Sequence, residues 1–155
     1  MFRQKIRRSF YAFITIFLVT HQTVWAAEVC IHPLELEADQ VRFVETQLRV
    51  AALQCRSHDA VDFTSLYGGF VKENRPYLVK SSKPLRTFLA RQGQQSIDNH
   101  VVATAKRISF ESAKVAQFCA RAKLAAQFSA KSAHPVMLIS MMPVRYQKPA
   151  MLCTS

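Results

Sequence analysis

Four cysteines are the residues of this chain whose type and spacing most directly predict chemistry. They are widely separated and none belongs to a C-x-x-C pair, so the pattern indicates neither a zinc clip nor a haem attachment site. An even number of cysteines in an exported chain is typical of disulfide bonds. We therefore expect two disulfides among Cys30, Cys55, Cys119 and Cys153.

The C-terminal part also carries thioether, imidazole and thiol groups that suit a soft metal such as copper(I). These candidate ligands are His134, Met137, Met141, Met142, Met151 and Cys153. Methionine is equally an ordinary filler of irregular apolar gaps. We therefore predict no bound metal: Met137, Met141 and Met142 pack on the protein and Cys153 is oxidised. A copper or small-ligand site in this tail is the alternative.

Patterns for catalysis are weak. Ser65 lies near Gly68-Gly69, but Phe63 and Tyr67 occupy the places where a G-x-S-x-G turn needs glycine. Paired carboxylates could cleave glycosides, and the candidates are Glu45, Asp59, Asp62 and Glu73. Each is explained more simply as a solvated or capping residue. We predict that the protein is not an enzyme and has no cofactor.

The N-terminus predicts export. A positive head at Arg3, Lys5, Arg7 and Arg8 precedes an apolar run over 10–19, which ends in Val24-Trp25-Ala26. This is the order of a signal peptide, and the run is shorter than the roughly 20 residues of a membrane span. We expect residues 1–26 to be removed after Ala26, leaving a periplasmic protein without a transmembrane anchor. An uncleaved N-terminal anchor is the less favoured alternative.

The charge balance is strongly basic. The chain of 155 residues has 21 lysines and arginines and ten acidic residues. Four basic residues and no acidic ones lie in 1–26, so the remainder carries a net charge of +7. The expected partners are an anionic envelope component or an acidic protein, although solubility alone would also explain the charge. The basic residues are dispersed, which argues against nucleic acid.

Hydrophobic periodicity predicts an all-α fold, an antiparallel bundle of three long helices with an extended C-terminal segment. The helices cover about 33–56, 62–91 and 96–128. Pro76 and Pro84 predict that the middle helix is kinked or broken near 76 or 80–83. The domains are then the bundle over 27–128 and a tail over 129–155 strapped across it. The last helix would carry a basic, anion-binding surface made of Lys106, Arg107, Lys114, Arg121 and Lys123.

The bundle limits how the cysteines can pair. Cys30 and Cys55 bracket the first helix and would stand roughly 33 Å apart at 1.5 Å per residue, so they cannot bond to each other. We favour Cys55–Cys119 with Cys30–Cys153, because the heptad phase continues through the break in the middle helix. If the chain instead reverses there, Cys119 would meet Cys30.

Several residues and short sequence segments resemble those of a known family of proteins. They are Cys30, the run 48–55, Phe70-Val71, Leu78, Leu85, Ser109, Ser112 and Phe118-Cys119. Over about 30–128 the chain resembles an uncharacterised family of small exported helical proteins of Gram-negative bacteria. Pro84 and the methionine-rich tail depart from the pattern. The resemblance implies a compartment and a cysteine framework, and no activity. We expect a non-enzymatic interaction or structural module with a basic surface.

Overall fold

The structure is a computed structural model that describes residues 29–56, 62–94, 96–129 and 134–154. This part of the chain is mostly helical, which fits the predicted all-α class. Its helices are α1 (Pro33–Gln54), α2 (Phe63–Glu73), α3 (Arg75–Arg91), α4 (Ile97–Ser112), α5 (Phe118–Ser129) and a 3-10 helix (Pro135–Met141). The predicted signal peptide lies outside the described residues.

Helix α1 lies at the centre of the fold, in contact with α2, α3, α4, α5 and the 3-10 helix. Pro33 begins it, in the position where a missing backbone donor costs nothing. Glu35 Oε2 accepts a hydrogen bond from the His32 backbone N–H at 2.9 Å and so fixes the first turn. Because partners surround α1, polar residues as well as apolar ones are buried along it, Gln47 among them.

The predicted middle helix is interrupted once, at Asn74. The buried Asn74 side chain and its backbone N–H both donate to the Phe70 carbonyl, at 3.0 Å each. Pro76 falls in the first turn of α3, where no intrahelical donor is needed. The alternative break at 80–83 is wrong, because α3 continues through that stretch with Pro84 inside it.

The prediction of one helix over 96–128 is wrong, because a turn at 113–117 separates α4 from α5. Ser112 Oγ lies 2.8 Å from the Ser109 carbonyl oxygen and 2.9 Å from Gln54 Oε1 at the end of α4. Gln117 then adopts a left-handed conformation, with φ of 57°. This turn redirects α5 towards α2, α1 and the 3-10 helix, and buries Phe118 in the core.

The expectation of a wholly extended C-terminal segment needs correction at 135–141, which form the 3-10 helix. It begins at Pro135 and packs on α1 and α5. Val144 then exchanges two hydrogen bonds with the buried Gln47 side chain, at 2.7 and 3.1 Å. Further along, Leu152 pairs with Ile31 in an isolated parallel bridge.

Two disulfides join the described elements, Cys30–Cys153 with a Cα–Cα distance of 4.9 Å and Cys55–Cys119 with 5.7 Å. This is the pairing that the sequence analysis favoured. Cys30 precedes α1 and Cys55 follows it, so the central helix is covalently tethered near both ends. The first bond fixes the C-terminal segment, and the second fixes α5.

Candidate functional site

A polar cavity of about 210 Å³ lies between α1, α4 and the segment that follows Val144. The lining residues on each helix recur at three- or four-residue steps, so they share one face. The polar members are Asp39, Arg42 and Thr46 from α1, His100, Thr104 and Arg107 from α4, and Tyr146, Gln147 and Lys148 from the C-terminal segment. Three parts of the chain therefore meet around one small volume.

Asp39 organises one wall of this cavity. Its carboxylate is buried, with 4% of the residue exposed. Oδ2 accepts a hydrogen bond of 2.6 Å from Tyr146 Oη, and Oδ1 lies 2.7 Å from His100 Nε2. Burial and the neighbouring Asp39 charge raise the pKa of Tyr146 far above its ordinary value, so its hydroxyl remains a donor. Both carboxylate oxygens thus have partners within the protein.

The cations around the cavity exceed its single carboxylate. Arg42 Nη2 donates to the Leu78 carbonyl at 2.8 Å and to Ser82 Oγ at 2.9 Å, which are both neutral acceptors. Arg107 stacks over the Phe43 ring, 5.6 Å from its centroid, and pairs with Glu111 at 3.2 Å. Lys148 is exposed at the rim. The electrostatic environment therefore favours an anion.

Two buried polar atoms on this side of α1 have no hydrogen-bond partner within the described part of the chain. They are Thr46 Oγ1 and Arg42 Nε. Thr46 is 1% exposed, and a buried hydroxyl without a partner is costly and uncommon. Both groups can donate a hydrogen bond, and both residues belong to the lining of the cavity.

A second polar cluster follows α1 towards α2. Tyr67 Oη donates to Glu45 Oε1 at 2.6 Å and accepts from Arg49 Nε at 3.0 Å, and Arg49 also pairs with Glu45. Burial and the Glu45 hydrogen bond raise the pKa of Tyr67. Glu45 Oε2 is buried and unpaired among the residues described. This carboxylate is held by structural partners.

The other carboxylates considered for catalysis have separate positions. Asp62 caps α2 by accepting from the Thr64 and Ser65 backbone N–H groups at 2.9 and 3.2 Å, which lowers its pKa. Glu73 is exposed at the end of α2. Asp59 lies outside the described residues. Ser65 is exposed in the first turn of α2, so the cap accounts for the sequence pattern there.

The candidate soft-metal ligands are largely committed to other contacts. Cys153 is in a disulfide, His134 Nε2 lies 3.2 Å from Glu37 Oε1, and Met142 is buried in the core. Met141 packs against that core. The prediction that Met137 also packs on the protein is wrong, because this residue is 67% exposed. Met151 is largely exposed as well. Across the ranges that the structure describes, no three His, Cys, Asp or Glu side chains are grouped to hold a metal.

The predicted basic surface is divided between two helices. Lys106 and Arg107 lie on α4, Lys114 lies in the turn after it, and Arg121 and Lys123 lie on α5. Lys106, Lys114 and Arg121 are exposed, whereas Arg107 and Lys123 are half-buried. Lys114 Nζ stands 4.0 Å from the centroid of the exposed Phe110 ring. Arg107 belongs to the cavity as well.

Sequence reasoning missed the Asp39, His100 and Tyr146 constellation. Asp39 is explained locally by the dipole of α1, and His100 is explained by its position near the start of α4. The one available signal was their register, since Asp39, Arg42 and Thr46 share a face of α1 and His100, Thr104 and Arg107 share a face of α4. Nothing in the local pattern places Tyr146 beside them.

Comparison with models of known protein families, with curated proteins and with solved structures finds no match. Among the helices in the described ranges, none combines the length and apolar character needed to cross a membrane.

Proposed function

We propose that this protein is a non-enzymatic periplasmic module whose basic surface binds an anionic component of the cell envelope. Export and cleavage after Ala26 are part of the proposal, as is membership of the exported helical family that the sequence resembles. The two disulfides fit an oxidising compartment outside the cytoplasm.

The observation that carries the proposal is the number of cations without an acidic partner. Ion pairs between an acidic residue and a lysine or arginine, within the described ranges, involve only Arg49, Arg91 and Arg107. Lys106 and Lys114 are exposed on or beside α4 and take part in none of them. An anionic surface would supply the missing counter-charges.

Vesicle binding tests the surface. Mature protein with its disulfides intact should sediment with phosphatidylglycerol vesicles at low salt and not with phosphatidylcholine vesicles. Binding should weaken steeply towards physiological salt, where exposed charges are screened over about 8 Å. Binding that does not respond to salt, or no binding at low salt, would contradict the proposal.

A matched pair of variants tests the location. Lys106→Glu with Lys114→Glu changes the net charge by the same amount as Lys80→Glu with Lys83→Glu, and all four side chains are exposed. The first pair should abolish vesicle binding and the second should only reduce it. Equal losses would mean that overall charge, and not this surface, drives association.

The mass of the protein recovered from the periplasm tests the compartment. We expect a chain that begins at Ala27 and contains two disulfides. Full-length protein in the membrane fraction would overturn the export part of the proposal without affecting the surface.

The soft-metal alternative gains no support from the positions of its ligands, since Cys153 and His134 have other partners. A copper(I) titration that gives one stoichiometric site, lost on replacing Met141 and Met142, would reinstate it.

A further inference from the structure

We propose that the cavity between α1, α4 and the C-terminal segment is a binding site for a phosphate group. The site is distinct from the exposed surface made by Lys106 and Lys114. It does not depend on vesicle binding, although Arg107 borders both. The shared chemistry covers free inorganic phosphate, a phosphate monoester and a phospholipid headgroup.

The donors of the cavity converge from different directions. Thr46 and Arg42 approach from α1, Arg107 from α4, and Lys148 from the C-terminal segment. A planar carboxylate accepts hydrogen bonds mainly in one plane, whereas the tetrahedral oxygens of phosphate accept from several sides. The arrangement of donors therefore favours a tetrahedral anion such as phosphate over a carboxylate.

The formal charges of the cavity sum to a net positive value, which favours an anion. Arg42, Arg107 and Lys148 supply three positive charges, and Asp39 supplies one negative charge that is held by Tyr146 and His100. Glu111 partly offsets Arg107 from outside the lining. Even so, a net positive charge remains around a small, partly enclosed volume, where attraction is less screened than at the surface.

The two donors that lack a hydrogen-bond partner indicate a ligand, and this argument does not depend on charge. Thr46 Oγ1 is buried and unpartnered within the described chain, and so is Arg42 Nε. Had packing alone set position 46, valine would fill the same space without the cost of an unpaired hydroxyl. Phosphate oxygens would accept from both groups, and hydrogen bonds to a charged acceptor are the stronger kind.

Thr46→Val is the most direct test. It removes only the hydroxyl, and because that hydroxyl has no partner we expect the unliganded protein to be equally stable or more stable. Titration calorimetry with inorganic phosphate on the mature, oxidised protein should give one saturable site per chain. The variant should bind about tenfold more weakly, as expected for one hydrogen bond to a charged group.

Two charge variants locate the site. Lys148→Gln lies on the cavity rim and should weaken phosphate binding, whereas Arg86→Gln makes the same charge change in the neighbouring groove and should not. Loss on Arg86→Gln with none on Lys148→Gln would overturn the assignment. So would wild-type affinity in Thr46→Val, or no saturable binding at all.

The same variants identify the source of the phosphate. If Thr46→Val weakens binding of inorganic phosphate and leaves phosphatidylglycerol vesicle binding unchanged, the ligand is a free phosphate or monoester. If it weakens both, the ligand is a lipid headgroup. Loss of vesicle binding in Lys106→Glu with Lys114→Glu, with phosphate binding intact, would separate the surface from the cavity.

Discussion

Tyr146 and Asp39 stand 107 positions apart in the chain and meet in a hydrogen bond of 2.6 Å. The contact attaches the C-terminal segment to the first turns of the central helix. It also closes one wall of the proposed phosphate site. The bond depends on the path of the whole segment, which Gln47 holds at Val144 and a disulfide holds at Cys153.

Tyr146→Phe should lower the free energy of unfolding by about 1–3 kcal/mol at neutral pH, because Asp39 Oδ2 loses its donor while remaining buried. The raised pKa of Tyr146 adds a pH dependence. The folded protein retains a proton that the unfolded chain releases above about pH 10. The stabilising effect of the hydroxyl is complete below that pH and declines above it.

Urea unfolding with intact disulfides, measured from neutral to alkaline pH, checks both parts. The difference between wild type and Tyr146→Phe should shrink as the pH rises beyond about 10. A constant difference would mean that the tyrosine hydroxyl does not titrate differently in the two states.

Glu35 provides a prediction at acidic pH. This buried carboxylate accepts from Arg91 Nη1 and Nη2 at 2.5 and 2.7 Å. The Arg91 hydrogen bond lowers the pKa of Glu35, outweighing the opposing effect of burial. A lowered pKa stabilises the folded state above the unfolded value of about 4.3, and that stabilisation is lost as the pH falls through the folded value.

Glu35→Gln should therefore be about 1–3 kcal/mol less stable than wild type at pH 7. The gap should narrow as the pH drops below about 4.3. Glu73→Gln removes an exposed carboxylate and serves as the control, with little change expected at any pH. If the free energy of unfolding of the two variants changes equally with pH, the Glu35–Arg91 pair does not cause the pH dependence.

Periodicity and capping were sufficient to predict some elements from the sequence. Helix α1 begins at the predicted residue and ends two residues early, since its apolar stripe, Pro33 and Glu35 are all local signals. The signal at Pro76 also placed a break close to Asn74. The cysteine positions, combined with the length of α1, led to the pairing that the structure has.

The division between α4 and α5 could not be predicted in the same way. The stripe from Val101 to Ala126 keeps its heptad phase across the turn, and most of its residues are small. Small residues pack acceptably whether the helix continues or is redirected, so the pattern carries little information about direction. The redirection is favoured by non-local contacts, among them Phe118 in the core and Cys119 bonded to Cys55.

Removal of the Cys30–Cys153 disulfide should show which contacts hold each part of the C-terminal segment in place. The segment is held by this disulfide and by the hydrogen bonds between Gln47 and Val144. Cys30→Ser with Cys153→Ser should lower the free energy of unfolding by about 2–4 kcal/mol. In hydrogen exchange, the amides of Ile31 and Cys153 should lose protection, because they form the bridge beside the bond. The Val144 amide should retain protection through Gln47.

A second measurement on the same disulfide variant is its affinity for phosphate. Since Lys148 lies between the two anchors, phosphate should bind more weakly in the disulfide variant although Thr46 and Arg107 are intact. Loss of protection at Val144 as well would show that the segment depends on the disulfide alone.

Gln117→Gly tests the turn between α4 and α5, and the sign of its effect is decisive. Gln117 has φ of 57°, which is strained for a residue with a Cβ and unstrained for glycine. Its carbonyl accepts from the Arg121 N–H at 3.0 Å, a bond that glycine preserves. The variant should therefore gain about 0.5–1 kcal/mol in the free energy of unfolding, even after the extra entropy of unfolded glycine.

Ala116→Gly is the control: this residue lies one position earlier and is also exposed, but it lacks the positive φ, so the variant should be destabilised. In an unbroken helix, glycine at either position would cost about 0.5–1 kcal/mol relative to alanine. If both substitutions lower the free energy of unfolding in urea, the result would support a single long helix over 96–128 and contradict the turn.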